Sequence, residues 1–382
     1  MKKTKFLLSL ISALFINQAF ATEFETKFIN YKFNTQYKAE NETNFPFVVS
    51  GNKTVDNRVN TMLHMSLLNT LPPKSINEKN TILKQVDASE ISFEKPILIN
   101  KKRVLGFNFN LESCGAYCEN YDMNFYFDTR NGRLLTDGEL FNLKTIPQLA
   151  NIINKENNNT VKRFLKNIKK EAKKSGRTEV EIEEQILIYE SCLEGRNNKD
   201  KDSYYKNYLG KVTMLDGVVN FTYERCSNHA MRALDDLWET TKTMQAEELR
   251  PYLSEYGKYI ILGEGDGVVP EINNYAQLYQ GKLNNKIDLV LYVGDLDRNQ
   301  KKNSPYSSYN QEKYIYTKYK KAIELNLDTN SSSKEYMLIE NQENADSIDE
   351  KARFQFKVKN NKLIGNWISK DKTLSFEAEP LK

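Results

Sequence analysis

Histidine is nearly absent from this chain of 382 residues, which contains only His64 and His229. Cysteine is scarce as well, at four residues. Zinc sites take their ligands mainly from clustered His and Cys side chains, and two isolated histidines cannot form such a cluster. The composition therefore argues against a His-rich metal-binding catalytic domain, and no metal or other cofactor is predicted.

The chain also lacks an excess of charge of one sign and long apolar runs. Its 55 basic residues fall to 52, against 51 acidic ones, when Lys2, Lys3 and Lys5 at the N-terminus are set aside. Because nucleic-acid-binding proteins carry clustered positive charge, neither nucleic acid nor an anionic membrane surface is an expected partner. After residue 21, no window approaches the roughly 20 apolar residues of a transmembrane helix. We expect no transmembrane segment.

The first 21 residues have the organisation of a secretory signal peptide. Three lysines precede an apolar run at residues 6–16, and the small-residue pattern Ala19-Phe20-Ala21 follows. This pattern predicts cleavage after Ala21. No cysteine follows the cleavage site, so a lipid anchor is not expected. The predicted location is the bacterial periplasm, with secretion beyond it as the alternative.

The four cysteines are Cys114, Cys118, Cys192 and Cys226. In an oxidising compartment an even number favours two disulfides. Of the three connectivities, we prefer Cys114 with Cys118 and Cys192 with Cys226, because the intervening Gly-Ala-Tyr can fold back as a tight loop. Zinc is the competing interpretation of the close pair, but no second closely spaced pair of ligands accompanies it.

A change in composition divides the chain into two parts. Residues 263–271, GEGDGVVPE, are rich in glycine and contain a late proline, which is typical of a linker. We therefore predict a signal peptide (1–21), an extracytoplasmic α+β domain (22–262), a linker (263–274) and an all-β, barrel-like domain (275–382).

Hydrophobic periodicity supports an α+β fold class for the N-terminal domain. Val55, Val59 and Leu63 recur at helical spacing, with Thr54 as the expected N-cap. Alternating aromatic and polar residues on both sides of this helix indicate strands. The prediction is an N-terminal α/β domain with an antiparallel sheet and packed helices.

The C-terminal domain is a succession of short alternating segments separated by turns such as Asn284-Asn285 and Asn360-Asn361. About eight such strands predict an up-and-down antiparallel barrel or a curled sandwich. A small barrel of this kind is expected to fill its interior with side chains, although it can also hold a small ligand.

The stretch MNFYFDTRNGRLLTDGELF, together with the late ELRPYLSEYG, resembles an uncharacterised extracytoplasmic α/β domain. That domain occurs in lysozyme-sensing anti-sigma factors and beside some peptidoglycan deacetylases. The resemblance covers about residues 25–260. It rests on turn and packing positions: Phe127-Asp128 with Gly132, Leu140-Phe141, and Leu249, Pro251 and Leu253.

The C-terminal domain resembles a small all-β module of bacterial envelope proteins. The matching residues are Tyr314 and Tyr316, Ile323 and Leu325, Leu338 and Glu340, and Gly365 and Trp367. Neither resemblance implies an activity. The chain lacks the membrane span and sigma-binding segment of the anti-sigma factors, and it lacks the catalytic domain of the deacetylases, so signalling and deacetylation do not transfer.

The best catalytic candidate is His229, because Glu224, Asp235 and Asp236 are close to it in sequence. A histidine with a carboxylate partner can act as a general base. Acyl transfer also needs a nucleophile, and neighbouring Cys226 is expected to be oxidised. A structural role is therefore favoured for His229.

The aromatic residues of the barrel-like domain offer another candidate recognition surface. Tyr306, Tyr309 and Tyr319 lie in or beside the polar segment QKKNSPYSSYNQEKYIYTKY and are expected to be exposed. If this domain has a binding surface, these tyrosines are predicted to form it.

Three functional hypotheses remain. The first is a non-catalytic periplasmic binding protein that engages or inhibits a peptidoglycan-acting enzyme such as lysozyme. The second is an envelope hydrolase that uses His229 with nearby carboxylates. The third is a carrier of a small apolar ligand inside the C-terminal barrel. The residues favour the first and leave enzymatic activity open.

Overall fold

The fold was analysed on a computed structural model. It describes residues 24–33, 41–77, 82–83, 90–93, 95–114, 118–171, 176–197, 207–268, 277–294, 296, 312–328, 335–341 and 351–382. The predicted signal peptide lies outside the described residues, as do Tyr306 and Tyr309.

The described residues of the N-terminal part form three small sheets. In the first, the strand order is β2-β1-β3, and β3 runs parallel to β1. In the second, β6 pairs with the long β7 on one side and with β4 and β5 on the other. The third has the order β10-β9-β8. The strands are β1 (Glu25–Phe33), β2 (Asn41–Val49), β3 (Ile82–Leu83), β4 (Glu90–Phe93), β5 (Ile97–Ile99), β6 (Val104–Cys114), β7 (Cys118–Asp128), β8 (Lys211–Leu215), β9 (Val218–Tyr223) and β10 (Thr240–Gln245).

Helices pack around these sheets, and the two longest, α3 and α4, contact each other. The helices are α1 (Lys53–Leu67), α2 (Asp137–Leu140), α3 (Ile146–Glu171), α4 (Glu179–Asn197) and α5 (Glu255–Gly257), with 3₁₀ turns at His229–Leu234 and Ala246–Tyr252. No helix in the described ranges is long and apolar enough to cross a membrane.

Helix α1 forms the centre of the first hydrophobic core. Val55, Val59 and Leu63 are buried in one cluster with aromatic rings of the first and second sheets, as their spacing predicts. The N-cap prediction was wrong by two residues: the Asn52 side chain, not Thr54, accepts the hydrogen bonds from the free amides. Asparagine is the better cap because its carbonyl reaches two N–H groups while its own backbone stays extended.

His64 on α1 is a buried structural residue. Its Nδ1 lies 2.7 Å from the Asn60 carbonyl oxygen, which can only accept, so Nδ1 carries the proton. Nε2 then accepts from the Tyr31 hydroxyl at 3.0 Å. Burial, only partly opposed by the hydrogen bond to Asn60, lowers the pKa of His64 to about 4. The folded protein therefore holds this imidazole neutral.

This burial predicts a pH dependence of stability. The pKa of His64 is lower in the folded state than in the unfolded chain, so its contribution is complete above about pH 6.5 and is lost as the pH falls towards 4. The free energy of unfolding should fall by about 3 kcal/mol across that window. Urea titrations at several pH values check this, and His64→Gln should remove most of that slope. An unchanged slope in the variant would contradict the assignment.

The C-terminal part is a closed antiparallel barrel of eight strands in sequence order, which confirms the predicted fold class and selects the barrel over the sandwich. The strands are β11 (Leu278–Leu283), β12 (Ile287–Tyr292), β13 (Lys313–Tyr316), β14 (Ala322–Leu327), β15 (Glu335–Glu340), β16 (Arg353–Lys359), β17 (Lys362–Ser369) and β18 (Lys372–Pro380). Pairing of β11 with β18 closes the barrel.

Aromatic side chains occupy the barrel interior. The Phe354 ring lies 5.0 Å from Tyr314 and 4.9 Å from Phe376, measured between centroids, and all three side chains are buried. Such packing is typical of a small barrel whose own side chains fill it. The interior therefore offers little support for a ligand carrier.

The barrel packs directly on α1. Leu278, Tyr292 and Ile315 belong to the same buried cluster as the α1 residues. Across this contact, Arg58 Nε donates to the Leu381 carbonyl at 2.8 Å. The Gln277 side chain exchanges two hydrogen bonds with the Leu134 backbone. The sequence did not predict this shared core, and the domain boundaries at 262 and 275 stay predictions.

Candidate functional site

Two disulfides cross-link segments of the N-terminal part that contribute to the candidate site. Cys114 is bonded to Cys118 at the end of the β6–β7 hairpin, and Cys192 in α4 is bonded to Cys226 just after β9. These are the pairs preferred from the sequence. Glu112 lies beside the first pair in an arrangement that resembles metal ligands, but disulfide sulfurs are not the thiolates that bind zinc.

Asp235 organises the segment that follows the second disulfide. Its carboxylate is 1% exposed and accepts hydrogen bonds from the Tyr189 hydroxyl at 2.6 Å, the Ser227 amide at 2.9 Å and the Trp238 amide at 3.1 Å. Burial and the hydrogen bond with Asp235 raise the pKa of Tyr189, so this phenol keeps its proton. A buried carboxylate with three donors fixes the backbone of residues 227–238.

Asp236, the next residue, has a different environment. It accepts from Arg177 at 2.7 Å and from Gln185 at 2.9 Å. Partial burial opposes ionisation, but these two hydrogen bonds outweigh it and lower the pKa of Asp236. The adjacent carboxylates therefore point to different partners, and neither forms a catalytic pair with the other.

Trp238 is exposed at the end of the segment that Asp235 holds by hydrogen bonds. Its side chain is 54% exposed, and its backbone has a φ of +56°. A bulky residue rarely adopts this left-handed conformation, which costs roughly 1–3 kcal/mol and is concentrated at functional sites. The Arg225 guanidinium lies 6.0 Å from the centroid of the indole. The fold therefore holds a large aromatic ring in solvent at an energetic cost.

His229 lies in the segment that precedes Trp238, but it pairs with a carboxylate that is distant in sequence. Its Nδ1 is 2.7 Å from Glu119 on β7, and Arg225 forms an ion pair with the other oxygen of Glu119. The side chains of His229 and Glu119 are 32% and 37% exposed. The structure thus joins His229 to none of the three carboxylates proposed from the sequence: Asp235 and Asp236 have other partners, and no bond joins His229 to Glu224 in the described part of the chain.

The His229–Glu119 pair has the hydrogen-bond geometry of a general base with its carboxylate partner. All four cysteines are in disulfides. A Ser-His-Glu array would require Ser227 to bond the imidazole, yet that buried hydroxyl has no hydrogen-bond partner. Arg232 Nη1 donates to the Cys118 carbonyl at 3.0 Å, which ties the 3₁₀ turn to the hairpin. We call Glu119, Arg225, His229, Arg232 and Trp238 the Trp238 surface.

A second polar network lies in the barrel. Glu340 accepts from the Tyr314 hydroxyl at 2.6 Å and from Trp367 Nε1 at 3.1 Å. The Tyr316 hydroxyl is 3.3 Å from that of Tyr314, and the Tyr316 ring lies 6.3 Å from the ring of Tyr319. Burial and the charge of Glu340 raise the pKa of Tyr314. Motif residues of three strands, β13, β15 and β17, are thus joined by hydrogen bonds within the fold.

Tyr319 is the one sequence-predicted binding tyrosine that the structure describes. Its side chain is 68% exposed, as expected for a contact residue. It lies after β13, and the Lys318 ammonium is 5.5 Å from its ring centroid. Exposure alone does not distinguish a binding residue from a solvated one, so a role for Tyr319 stays a prediction.

Comparisons with known proteins do not assign a function to either of these sites. No family model and no curated protein matches the chain. Among solved structures, the chain is similar to a DUF3298 family member from Bacteroides fragilis, with 13% sequence identity and a TM-score of 0.36. The match covers 62% of this chain and 95% of that one. A similarity this low carries no functional argument.

Sequence reasoning missed Trp238 and Arg225, and it did not pair Glu119 with His229. Glu119 is 110 residues from His229, so spacing along the chain could not join them. The available signal was the sequence Asp-Asp-Leu-Trp, which ends at Trp238 and follows the segment that contains His229. This tryptophan belongs to no alternating pattern of apolar and polar residues.

Proposed function

We propose that this protein is a non-catalytic, periplasmic binding protein whose Trp238 surface engages a peptidoglycan-acting enzyme. The observation that carries the proposal is an exposed indole fixed in an unfavourable backbone conformation by a buried carboxylate. The signal-peptide pattern and the two disulfides support an oxidising location outside the cytoplasm.

The composition of the Trp238 surface suits protein recognition. Tryptophan and arginine are the residues most enriched among binding hot spots. Part of its charge is compensated, because Arg225 pairs with Glu119, and in the adjoining segment Arg177 pairs with Asp236. Affinity should therefore come from burial of the indole rather than from long-range attraction.

A single projecting ring needs a concave partner. Hot-spot side chains fill pockets on the facing protein, and the usual pocket of an enzyme is its substrate cleft. An enzyme that degrades the cell wall presents such a cleft in the compartment where this chain is expected. Occupation of the cleft by Trp238 would inhibit the enzyme, in keeping with the resemblance to lysozyme-sensing domains.

Lysozyme is the probe for a direct test. The wild-type mature protein should inhibit lysis of cell walls by lysozyme, and Trp238→Ala should weaken this inhibition about 30-fold, which corresponds to about 2 kcal/mol for a hot-spot residue. The measurement is the inhibition constant from turbidity assays. Trp238 is 54% exposed and is not a member of the buried hydrophobic clusters, so folding should be retained, which circular dichroism checks.

Tyr319→Ala is the matched control, because it removes another exposed aromatic side chain, at 68% against 54% for Trp238, from the barrel. It should leave inhibition unchanged. Loss of inhibition in Tyr319→Ala but not in Trp238→Ala would move the binding surface to the barrel. Absence of inhibition by the wild type, or binding to purified peptidoglycan alone, would contradict an enzyme partner.

The envelope hydrolase is the second candidate, because His229 and Glu119 form a hydrogen-bonded pair that is accessible to solvent. A hydrolase would release soluble fragments from purified peptidoglycan, and His229→Gln would abolish that release. The binding proposal predicts no release by either protein. Release that depends on His229 would establish the hydrolase instead.

A further inference from the structure

We propose that the N-terminal part has a second site, which binds an acyl carboxylate in a cavity beside β1, β4 and β5. The cavity has a volume of about 730 Å³, within the range of roughly 300–1,000 Å³ that is typical of small-molecule sites. It lies outside the barrel, whose interior the sequence analysis considered as an alternative place for a ligand. This proposal is independent of the Trp238 surface.

Three phenylalanine rings define the chemistry of the cavity. Phe24, Phe28 and Phe93 line it together with Ile91 and Leu98. Phe28 is 49% exposed although its ring lies only 5.6 Å from that of Phe93. An aromatic ring left half in water forgoes part of the roughly 1.5–3 kcal/mol available from full burial. A ligand that covers Phe28 would recover this energy.

The walls of the cavity are held in place by the surrounding fold. Phe93 packs on Phe107 and Phe109 of β6, at 6.4 and 5.4 Å between centroids. The Thr43 hydroxyl donates to the Ile91 carbonyl at 2.7 Å, which ties β2 to β4. These contacts hold Phe93 and Ile91 in the lining, as expected of a preformed site.

One positive charge selects the ligand head group. Lys95 is the single charged residue among those that line the cavity, and it is exposed at the turn between β4 and β5. No described residue forms an ion pair with it. An ammonium beside an apolar cavity favours a carboxylate attached to a hydrocarbon body, because the chain can enter the cavity while the head group stays at the solvent edge.

The test uses displacement of a fluorescent fatty acid from the full mature chain by dodecanoate or dodecanol. We expect saturable binding of one dodecanoate per protein. Leu98→Trp should fill the cavity and weaken both competitors at least tenfold. Lys95→Glu should weaken dodecanoate about fivefold to tenfold and leave dodecanol unchanged, because only the carboxylate meets the charge.

Two controls keep the result interpretable. Lys144→Glu makes the same charge reversal on a distant exposed lysine and should have no effect. Phe28→Glu places a charge in the cavity at a half-exposed position, so it should block dodecanoate even if Leu98→Trp folds poorly, which circular dichroism will reveal. Equal affinity in wild type, Phe28→Glu and Lys95→Glu would overturn the proposal, as would displacement by an extended apolar peptide but not by dodecanoate.

Discussion

Replacement of Asp235 by alanine is expected to lower the free energy of unfolding by about 4 kcal/mol, because two buried donors and one partly buried donor lose their acceptor at once. Those donors are the Tyr189 hydroxyl and the amides of Ser227 and Trp238. Each unsatisfied buried donor costs roughly 1–3 kcal/mol. Urea unfolding of wild type and Asp235→Ala measures the difference.

Two further substitutions test the mechanism. Asp235→Asn keeps one acceptor oxygen and should cost about half as much. Asp236→Ala removes a half-exposed carboxylate, whose pair with Arg177 should contribute about 1 kcal/mol or less. Asp235→Ala should also reduce lysozyme inhibition, because Trp238 loses its support. If Asp235→Ala is no more destabilising than Asp236→Ala, the buried carboxylate does not organise this segment.

Gly365→Ala should have the second largest effect, with a loss of about 3 kcal/mol in the free energy of unfolding. A Cβ at this position in β17 would lie 2.0 Å from the Gln355 carbonyl oxygen and 2.6 Å from the Phe356 Cα. Both atoms belong to the backbone of the paired strand β16, which cannot move without opening the barrel. Thermal unfolding checks the prediction.

The matched control is Gly195→Ala in α4, where an added Cβ would meet nothing within 4 Å. That change should stabilise the protein by about 0.5–1 kcal/mol, since alanine favours the helix over glycine. An equal effect of the two substitutions, or a stable Gly365→Ala barrel, would show that the close strand approach is not required.

The fold was largely predictable because its signals are local. The barrel follows from alternating side chains and from turns such as Asn284-Asn285 and Asn360-Asn361, whose residues all have positive φ in the structure. Asparagine tolerates this left-handed conformation better than most residues. The paired cysteines likewise agree with the pairing preferred from the sequence.

The candidate site was not predictable, because its parts come from separate elements. His229 was correctly considered as a carboxylate partner, but the carboxylate is on β7 and not in the adjacent acidic sequence. Trp238 carries no periodic signal, since its exposure depends on a positive φ and on bonds to Asp235. Hydrophobic periodicity indicates which side chains of a helix or strand are buried. Trp238 is held outside the core, so periodicity does not indicate it.

Backbone amide hydrogen exchange, with and without lysozyme, tests the central claim most directly. The account predicts slower exchange in the presence of lysozyme at residues 224–239 and 118–122, with the barrel unchanged. Protection confined to the barrel, or no protection at any amide, would contradict the assignment of the Trp238 surface as the binding site.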